Sequence, residues 1–588
     1  MNRRERRAAA TRNPRAKSGG RDADTPAALH RAGLGHRRAG RPLDAQLCCQ
    51  QALATDAGHA DSLHLMGLLS FDAGQSDHAV QWIARALRQE VKAEYLFSLA
   101  TALRQQGRRE EALLAFRHVL GLDPAHWDAA HQCGALLYEL GQLQDALGYL
   151  EPCLELRPNH LATLVMCTAC MLSFRRFEEV VAINQRAHAL DPENADPCNS
   201  VGVALQLLDR QEEALPWFDR AIGLRPDFVD ALNNKAVALS GIHRFDEACA
   251  TYGRVKAIDP GNVGAEWNLA LLDLLLGNFE AGWAGREAHW KTDRQSTYPK
   301  FSQPRWFGEE NIAGKTILVC ADEGLGDTIQ FARYVPEIAA RGARVILAVE
   351  ESARTLLSGL RGVSQCVRKS VDGLPAFDMH CPMSGLPMLF GTRLDTIPCD
   401  VPYLPAAPEH LTQAWEARLG RQHKLHDKLR VGLVWSGNPQ HGNDHNRSIP
   451  LRTLLPILDA DAKFVSLQKD PRPADRAVLQ QRGDIIDLTA HLTDFVETAA
   501  LIRCLDLVIT VDTSVAHLAA ALGCPTWILL PYTPDYRWLL DRDDSPWYPT
   551  ARLFRQGKTR EYASVLDRMA AELRALIASE MAAHAKPT

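Results

Sequence analysis

The chain has 588 residues, 46% of them apolar, so it can build large cores, and its length predicts roughly three to four domains. A net charge of −5 with 23% charged residues carries no global nucleic-acid signal. No apolar run approaches the ~20 residues a spanning helix needs, so no transmembrane segment is expected.

The N-terminus has no apolar signal-peptide core. Its fourteen cysteines are scattered, which reads as free thiols in a reducing compartment, and a cytoplasmic protein is expected. Residues 1–25 are strongly basic, from Arg3-Arg4-Glu5-Arg6-Arg7 onward, and read as a disordered tail. A solvated tail and a tail docked on an acidic membrane surface or on nucleic acid are both open.

A repeat follows over 26–295. Asp123-Pro124, Arg157-Pro158, Asp191-Pro192, Arg225-Pro226 and Asp259-Pro260 stand 34 residues apart. Such a period predicts stacked helix pairs, because one pair cannot bury its apolar face alone. Proline ends the second helix of these five pairs, and the two earliest repeats, which lack it, read as frayed or capping units. Small residues hold fixed slots where helices cross: Gly134, Gly202, Ala236 and Ala270, then Ala112, Ala146, Ala214 and Ala248. About eight repeats are predicted, and the pattern resembles the tetratricopeptide repeat family. Cys167 and Cys170 form a CxxC inside one repeat helix, read as packed thiols with a metal or redox site as the alternative.

A solenoid of this kind presents a concave groove to a partner. Gln132, Ser200, Asn234 and Asn268 occupy one slot on successive first helices. Their polar side chains can bond an extended peptide backbone without reading its side chains, so a protein acceptor or partner is expected there. Capping or solvation of that face is the plainer alternative.

Beyond 295, apolar strands alternate with helices. Strands are expected at 316–321 and 344–349, with helices at 327–341 and 352–360, then strands at 430–435, 463–467, 485–488, 506–511 and 526–530. This predicts parallel sheets covered on both faces. The expected layout is one Rossmann-like domain at 296–403 and a linker at 404–428. A second Rossmann-like domain spans 429–557, then a helix 558–580 and a tail 581–588. The fold class is thus an α-helical solenoid followed by an α/β region whose two Rossmann-like domains face a cleft.

Neither domain carries GxGxxG or a P-loop. One anion site is nonetheless expected. The strand ending at Asp512 runs into Thr513-Ser514 and a helix bearing His517, where free N–H groups and hydroxyls meet a strand's carboxyl end. Ordinary N-capping by Asp512 or Thr513 is the alternative.

Three motifs carry a specific resemblance. Gly324-Leu325-Gly326-Asp327-Thr328, Trp435-Ser436-Gly437-Asn438 and Asp512-Thr513-Ser514-Val515-Ala516-His517 are similar to the heptosyltransferase family of GT-B glycosyltransferases. Gly326 through Tyr334, Asn446-Arg447-Ser448, Ser466-Leu467-Gln468-Lys469 and Trp538 through Pro549 resemble a bacterial group in which that domain follows tetratricopeptide repeats. The architecture also resembles O-GlcNAc transferase.

The resemblance implies sugar transfer from a nucleotide-sugar donor, which is a substrate, with no cofactor and no essential metal. It places the general base at Asp327, where an N-cap role is the alternative, and a diphosphate-neutralising cation at Arg447. It places donor contacts at Ser436, Gly437, Asn438, Gln468, Lys469, Asp512, Thr513, Ser514 and His517. Asp322-Glu323 departs from the usual Glu-Gln and offers a rival base. Asp541-Arg542-Asp543 spells a metal-binding signature, but in a charged loop.

The leading expectation is an inverting, metal-independent glycosyltransferase acting on a protein such as a flagellin-like surface protein. A lipid-linked or polysaccharide acceptor, and a non-catalytic scaffold, are the alternatives.

Overall fold

In each helix pair, one turn residue adopts a left-handed backbone: Gly40, Gly74, Gly107, Gly141, Arg175, Asp209, His243 and Gly277. Glycine takes this conformation without penalty, whereas the three side-chain-bearing residues adopt it at a cost. The computed structural model describes residues 25–291, 298–370, 373–420 and 428–585. The expected tail at 1–25 lies outside these but for Thr25, as do parts of the expected linker and of the tail at 581–588. Among the described residues, sixteen helices form eight pairs from Pro26 to Arg286. None of the described helices is long and apolar enough to cross a membrane.

The sequence signals act as their chemistry requires. Asp123, Arg157, Asp191, Arg225 and Asp259 stand just past the second helices with non-helical backbone, as a residue before proline prefers. A Cβ on Gly134 would sit 2.6 Å from Leu150, and one on Gly202 would sit 2.5 Å from Phe218. The small slots are therefore where a facing side chain fills the space. Cys167 and Cys170 are fully buried in the repeat core.

The chain divides into two compact units, Met1–Phe228 and Val229–Thr588. This division falls inside the repeats, not at the sequence-based boundary near 295. In the second unit, Leu274, Leu275, Phe279 and Trp283 of the last helix pair share one apolar cluster with Ile317, Phe331, Tyr334 and Trp547. Trp283 Nε1 also donates to the Thr392 carbonyl at 3.1 Å. The last two pairs are built into the α/β region, a fact that the 34-residue period does not encode.

The first sheet contains β1 Thr316–Cys320, β2 Arg344–Val349, β3 Val363–Arg368 and β4 Met379–Pro382. Its strand order is β3-β2-β1-β4, all parallel. The second contains β5 Arg430–Val434, β6 Lys463–Ser466, β7 Ile485–Ile486, β8 Leu507–Val511, β9 Thr526–Leu530 and β10 Ala551–Arg555. Its order is β10-β9-β8-β5-β6-β7, also parallel.

Several sequence-based boundaries change. The helix expected at 327–341 is three short pieces, Leu325–Phe331, Ala332–Tyr334 and Val335–Ala340, with Pro336 opening the last. The expected linker 404–428 contains a packed helix, Glu409–Arg418. Its buried Trp415 donates to Glu497 at 2.7 Å, so this segment is anchored rather than free. The C-terminal helix begins at Ala563 rather than 558, because Gly557 to Glu561 form a loop with Arg560 in a left-handed turn. The edge strand β10 has no counterpart among the expected strands.

Candidate active site

Three adjacent strands of the second sheet deliver the candidate residues. At their carboxyl ends, β5 leads to Ser436, Gly437 and Asn438, β6 to Gln468 and Lys469, and β8 to Asp512 and Thr513. In that order β5 lies between β8 and β6, and the chain leaves it in opposite directions, toward β6 and toward β8. Loops diverge at such a switch point and leave a crevice. Here the crevice is a cavity of about 540 Å³.

The same cavity is lined from the first sheet's side by Gly324, Leu325, Gly326, Asp327 and Ser352. All eleven residues that the sequence placed in the transferase half border it: Asp327, Ser436, Gly437, Asn438, Arg447, Gln468, Lys469, Asp512, Thr513, Ser514 and His517.

Their local roles differ. Gln468 is buried, and its Oε1 accepts from the Trp435 and Ser436 amides at 3.2 and 3.0 Å. It shapes the β5 loop. Asn438 turns its own loop by accepting from Gln440 N at 3.0 Å, and Lys469 is exposed at the rim.

Ser436 is buried at 3% exposure, and its Oγ has no hydrogen-bond partner. Arg447 lies across Gly437, where a Cβ would come within 2.8 Å of the guanidinium. Its Nη1 donates to the Asp512 carbonyl at 3.3 Å, while its buried Nε has no partner.

Thr513 precedes helix Ser514–Ala521 without capping it; its hydroxyl meets that of Thr510 at 3.2 Å instead. The N-cap alternative therefore fails for Thr513, and no side chain caps the helix start that faces the cavity. Burial pushes the Asp512 carboxyl above its ordinary range, with Arg447 opposing.

His517 is buried, with Nδ1 2.9 Å from the Tyr548 hydroxyl and Nε2 4.0 Å from the Asp512 carboxylate. Burial pushes its imidazole down to about 3, and Arg333 and Arg447 act in the same direction. The ring is neutral at physiological pH. A Cβ on Gly326 would sit 2.9 Å from His517 Cδ2, so the two lobes meet at a residue that must lack a side chain.

Asp327 stands at the third position of its helix, not at the cap, and its Oδ2 accepts from Gly324 N at 3.0 Å. Its Oδ1 accepts from Arg537, a residue the sequence reading missed. Arg537 is buried, donates to Asp535 at 2.7 Å and to Gln330, and is pulled down to about 10 by burial. Burial and the charge of Asp512 push Asp535 up to about 7. Arg537 sits one residue before the quoted Trp538 motif. A basic residue beside a family-like segment was the available signal.

The rival carboxylates are occupied elsewhere and do not line the cavity. Asp322 accepts from Ser384 N at 3.0 Å and from its hydroxyl, and Glu323 pairs with Arg286. In the Asp541-Arg542-Asp543 segment, Arg542 turns to Asp544 at 2.7 Å. Among the described residues, no group of three or more His, Cys, Asp or Glu is placed to hold a metal ion.

In the repeats, the expected ladder is engaged by neighbours. Gln132 accepts from Arg104, and Asn268 Nδ2 donates to Asn233 at 3.2 Å. Ser200 and Asn234 are half-buried on their first helices.

Comparison with known proteins supplies two families. Residues 468–566 match the profile described as glycosyltransferase family 9 (heptosyltransferase), and residues 97–160 match the tetratricopeptide repeat profile. The first match includes Asp512 to His517 and Arg537 and stops short of Asp327 and Arg447.

Protein FlbA of Caulobacter vibrioides is 27% identical over 338 residues, which cover 53% of this chain and 55% of FlbA. The chain thus spans about half the length of the curated relative it matches. Among solved structures, YrrB, titled a TPR protein with an unusual peptide-binding site, aligns at 22% identity and a TM-score of 0.30. The alignment covers 32% of this chain and 97% of that one. A Pseudomonas aeruginosa pilF structure aligns at 18% identity and a TM-score of 0.31, over 37% and 99%. The chain joins tetratricopeptide repeats to a region similar to glycosyltransferase family 9.

Proposed function

We propose that the protein is an inverting, metal-independent glycosyltransferase of GT-B type. It moves a sugar from a nucleotide-activated donor to a protein held by the repeats, in the cytoplasm, with a flagellin-like surface protein as the acceptor class.

One observation carries the reading. A single cavity gathers a carboxylate from one lobe and, from the other, an uncapped helix start, a guanidinium and a buried hydroxyl. Buried polar atoms are nearly always paired. The orphaned Ser436 Oγ and Arg447 Nε, on residues that line the cavity, leave hydrogen-bonding capacity for oxygens of a ligand. The helix start and Arg447 take the diphosphate, since N–H dipoles and a guanidinium both favour phosphate oxygens. Neutral His517 contributes no charge and holds the helix against Tyr548.

In the transfer step, the acceptor hydroxyl oxygen bonds the anomeric carbon as the bond from that carbon to the phosphate oxygen breaks. Asp327 takes the hydroxyl proton, and the nucleoside diphosphate leaves with the electron pair of the broken bond. Arg447 and the helix amides offset the charge that builds on the leaving group. For Asp327 to accept the proton, its pairing with Arg537 must loosen as the acceptor arrives.

The test is release of the leaving nucleotide (UDP, GDP, ADP or CMP) by purified protein from a panel of UDP-, GDP-, ADP- and CMP-sugars, with and without EDTA. Product release insensitive to EDTA, together with sugar mass on a co-expressed acceptor protein, is the expected result. No turnover on the panel sinks the reading.

A further inference from the structure

The last repeat helix, Phe279–Arg286, ends in a buried arginine whose two arms go to different places. Arg286 Nη1 donates to the Tyr536 hydroxyl at 3.0 Å, and Nη2 donates to Glu323 Oε1. Glu323 immediately precedes Gly324, whose amide is bonded by Asp327. Tyr536 immediately precedes Arg537, which donates to Asp327 from the other lobe. One guanidinium therefore grips the residue before each of the two segments that meet at the Asp327–Arg537 pair.

We propose that Arg286 is a positioning residue that registers Asp327 against Arg537 across the cleft. The inference rests on the transferase reading of that cavity.

The surroundings hold the fork in one orientation. The rings of Trp267, Trp283 and Tyr536 lie 5.4, 5.6 and 5.4 Å from the guanidinium carbon. Trp283 meets Tyr536 edge-on at 5.8 Å. The charged and titratable groups facing Arg286 are Glu323 and Asp322 from the β1 loop, with Tyr536, Asp535 and Arg537 from the loop after β9. Burial works against the arginine's charge, but Glu323 and Tyr536 more than offset it, so it is held above its ordinary range.

A planar fork with fixed donor directions can set the distance between two partners, whereas a lysine is a single mobile point charge. Arg286 lines no part of the cavity itself, so it acts only through the two segments it holds.

The test uses full-length protein and three variants: Tyr536→Phe, which removes one hydroxyl, Arg286→Lys, which keeps the charge, and the double variant. All are expected to unfold cooperatively and to bind whichever of UDP, GDP or ADP the wild type binds, with unchanged affinity. Each single variant should lose about tenfold or more in kcat for donor turnover. The double variant should lose less than the product of the two losses, because both changes break one linkage.

Wild-type kcat in both single variants, multiplicative losses, a matching fall in nucleotide affinity, or failure of Tyr536→Phe to fold overturns the proposal. A wild type inactive on every sugar nucleotide removes the transferase reading and this inference with it. An active wild type with unaffected variants removes this inference alone.

Discussion

Six helix pairs in the first unit and two in the second share one sequence period, yet they are used differently. In the first unit, the turn residues are glycines at 40, 74, 107 and 141 and Arg175 and Asp209 in the last two pairs, and contacts such as Arg37–Asp72 and Arg104–Glu139 link repeat to repeat. In the second unit, the turn positions are His243 and Gly277, and the His243 ring stacks on Tyr532 of the α/β region at 3.9 Å. The neighbouring Gly241 carbonyl accepts from Thr533 at 3.0 Å and Arg560 at 2.6 Å. The period specifies how a pair packs on the next pair. It leaves the outward residues unconstrained, and those residues turn two repeats into part of an α/β domain.

The comparison breaks most visibly by truncation. A fragment beginning at residue 298 loses Leu274, Leu275, Phe279 and Trp283, all buried. At about 1.5–3 kcal/mol each, their loss is on the order of 10 kcal/mol, comparable to the whole stability of a typical domain. It should show no cooperative thermal unfolding, while a fragment beginning at 229 should unfold cooperatively and turn over donor. Equal melting of the two would make the last pairs ordinary repeats.

Asp327→Asn should cost about 10²- to 10⁴-fold in turnover, because a general base contributes that much. The loss should be equal in the full chain and in the fragment from 229. Retention of more than about a tenth of the rate assigns the carboxylate to the Gly324 amide and Arg537 alone.

Arg447→Ala should weaken nucleoside diphosphate binding by about 10- to 100-fold, the worth of hydrogen bonds to a charged group. Calorimetry reads this, and unchanged affinity places the diphosphate elsewhere.

Asp322 sharpens the comparison at the seam itself. Burial, then the charge of Glu323, push its carboxyl up to about 7, above an unfolded value near the ordinary 3.8. Between those values the native state holds the extra proton, so this residue's contribution to stability falls as pH rises from about 4 to 7. Asp322→Asn should therefore gain on wild type between pH 5 and pH 8, by about 2–3 kcal/mol, as read from thermal melts. A pH-independent difference means the carboxyl stays ionised.

The smallest effects should come from one side chain in each unit. Gln132→Ala and Asn268→Ala should each move stability by about 0.5 kcal/mol and weaken acceptor binding without touching donor binding. Unaltered acceptor affinity in both variants leaves the groove reading without its amides.

Much of this was legible in the sequence, and for stated reasons. Prolines and small slots repeat because they act locally, and Ser436, Gln468 and Asp512 lie just past apolar strands whose ends must open on one crevice. What stayed hidden depends on distant partners. Arg537 meets Asp327 across 210 positions of chain, and Arg286 meets Tyr536 across 250. Neither pairing leaves a local pattern. The helix at Glu409–Arg418 was masked by flanking prolines and charges, since a single tryptophan anchors it. Strand β10 was missed because two arginines, Arg552 exposed and Arg555 half-buried, interrupt its short apolar segment.

The contact between Gly326 and His517 fixes how this cleft can evolve. The clearance between lobes beside Asp327 is set by a hydrogen atom on one side and by a ring held from behind by Tyr548 on the other. Any methyl group at 326 is a wedge, so point substitution there only widens the gap. On the transferase reading, a change in the size of acceptor admitted would come instead from other residues of the lining, such as Ser352 and Asn438.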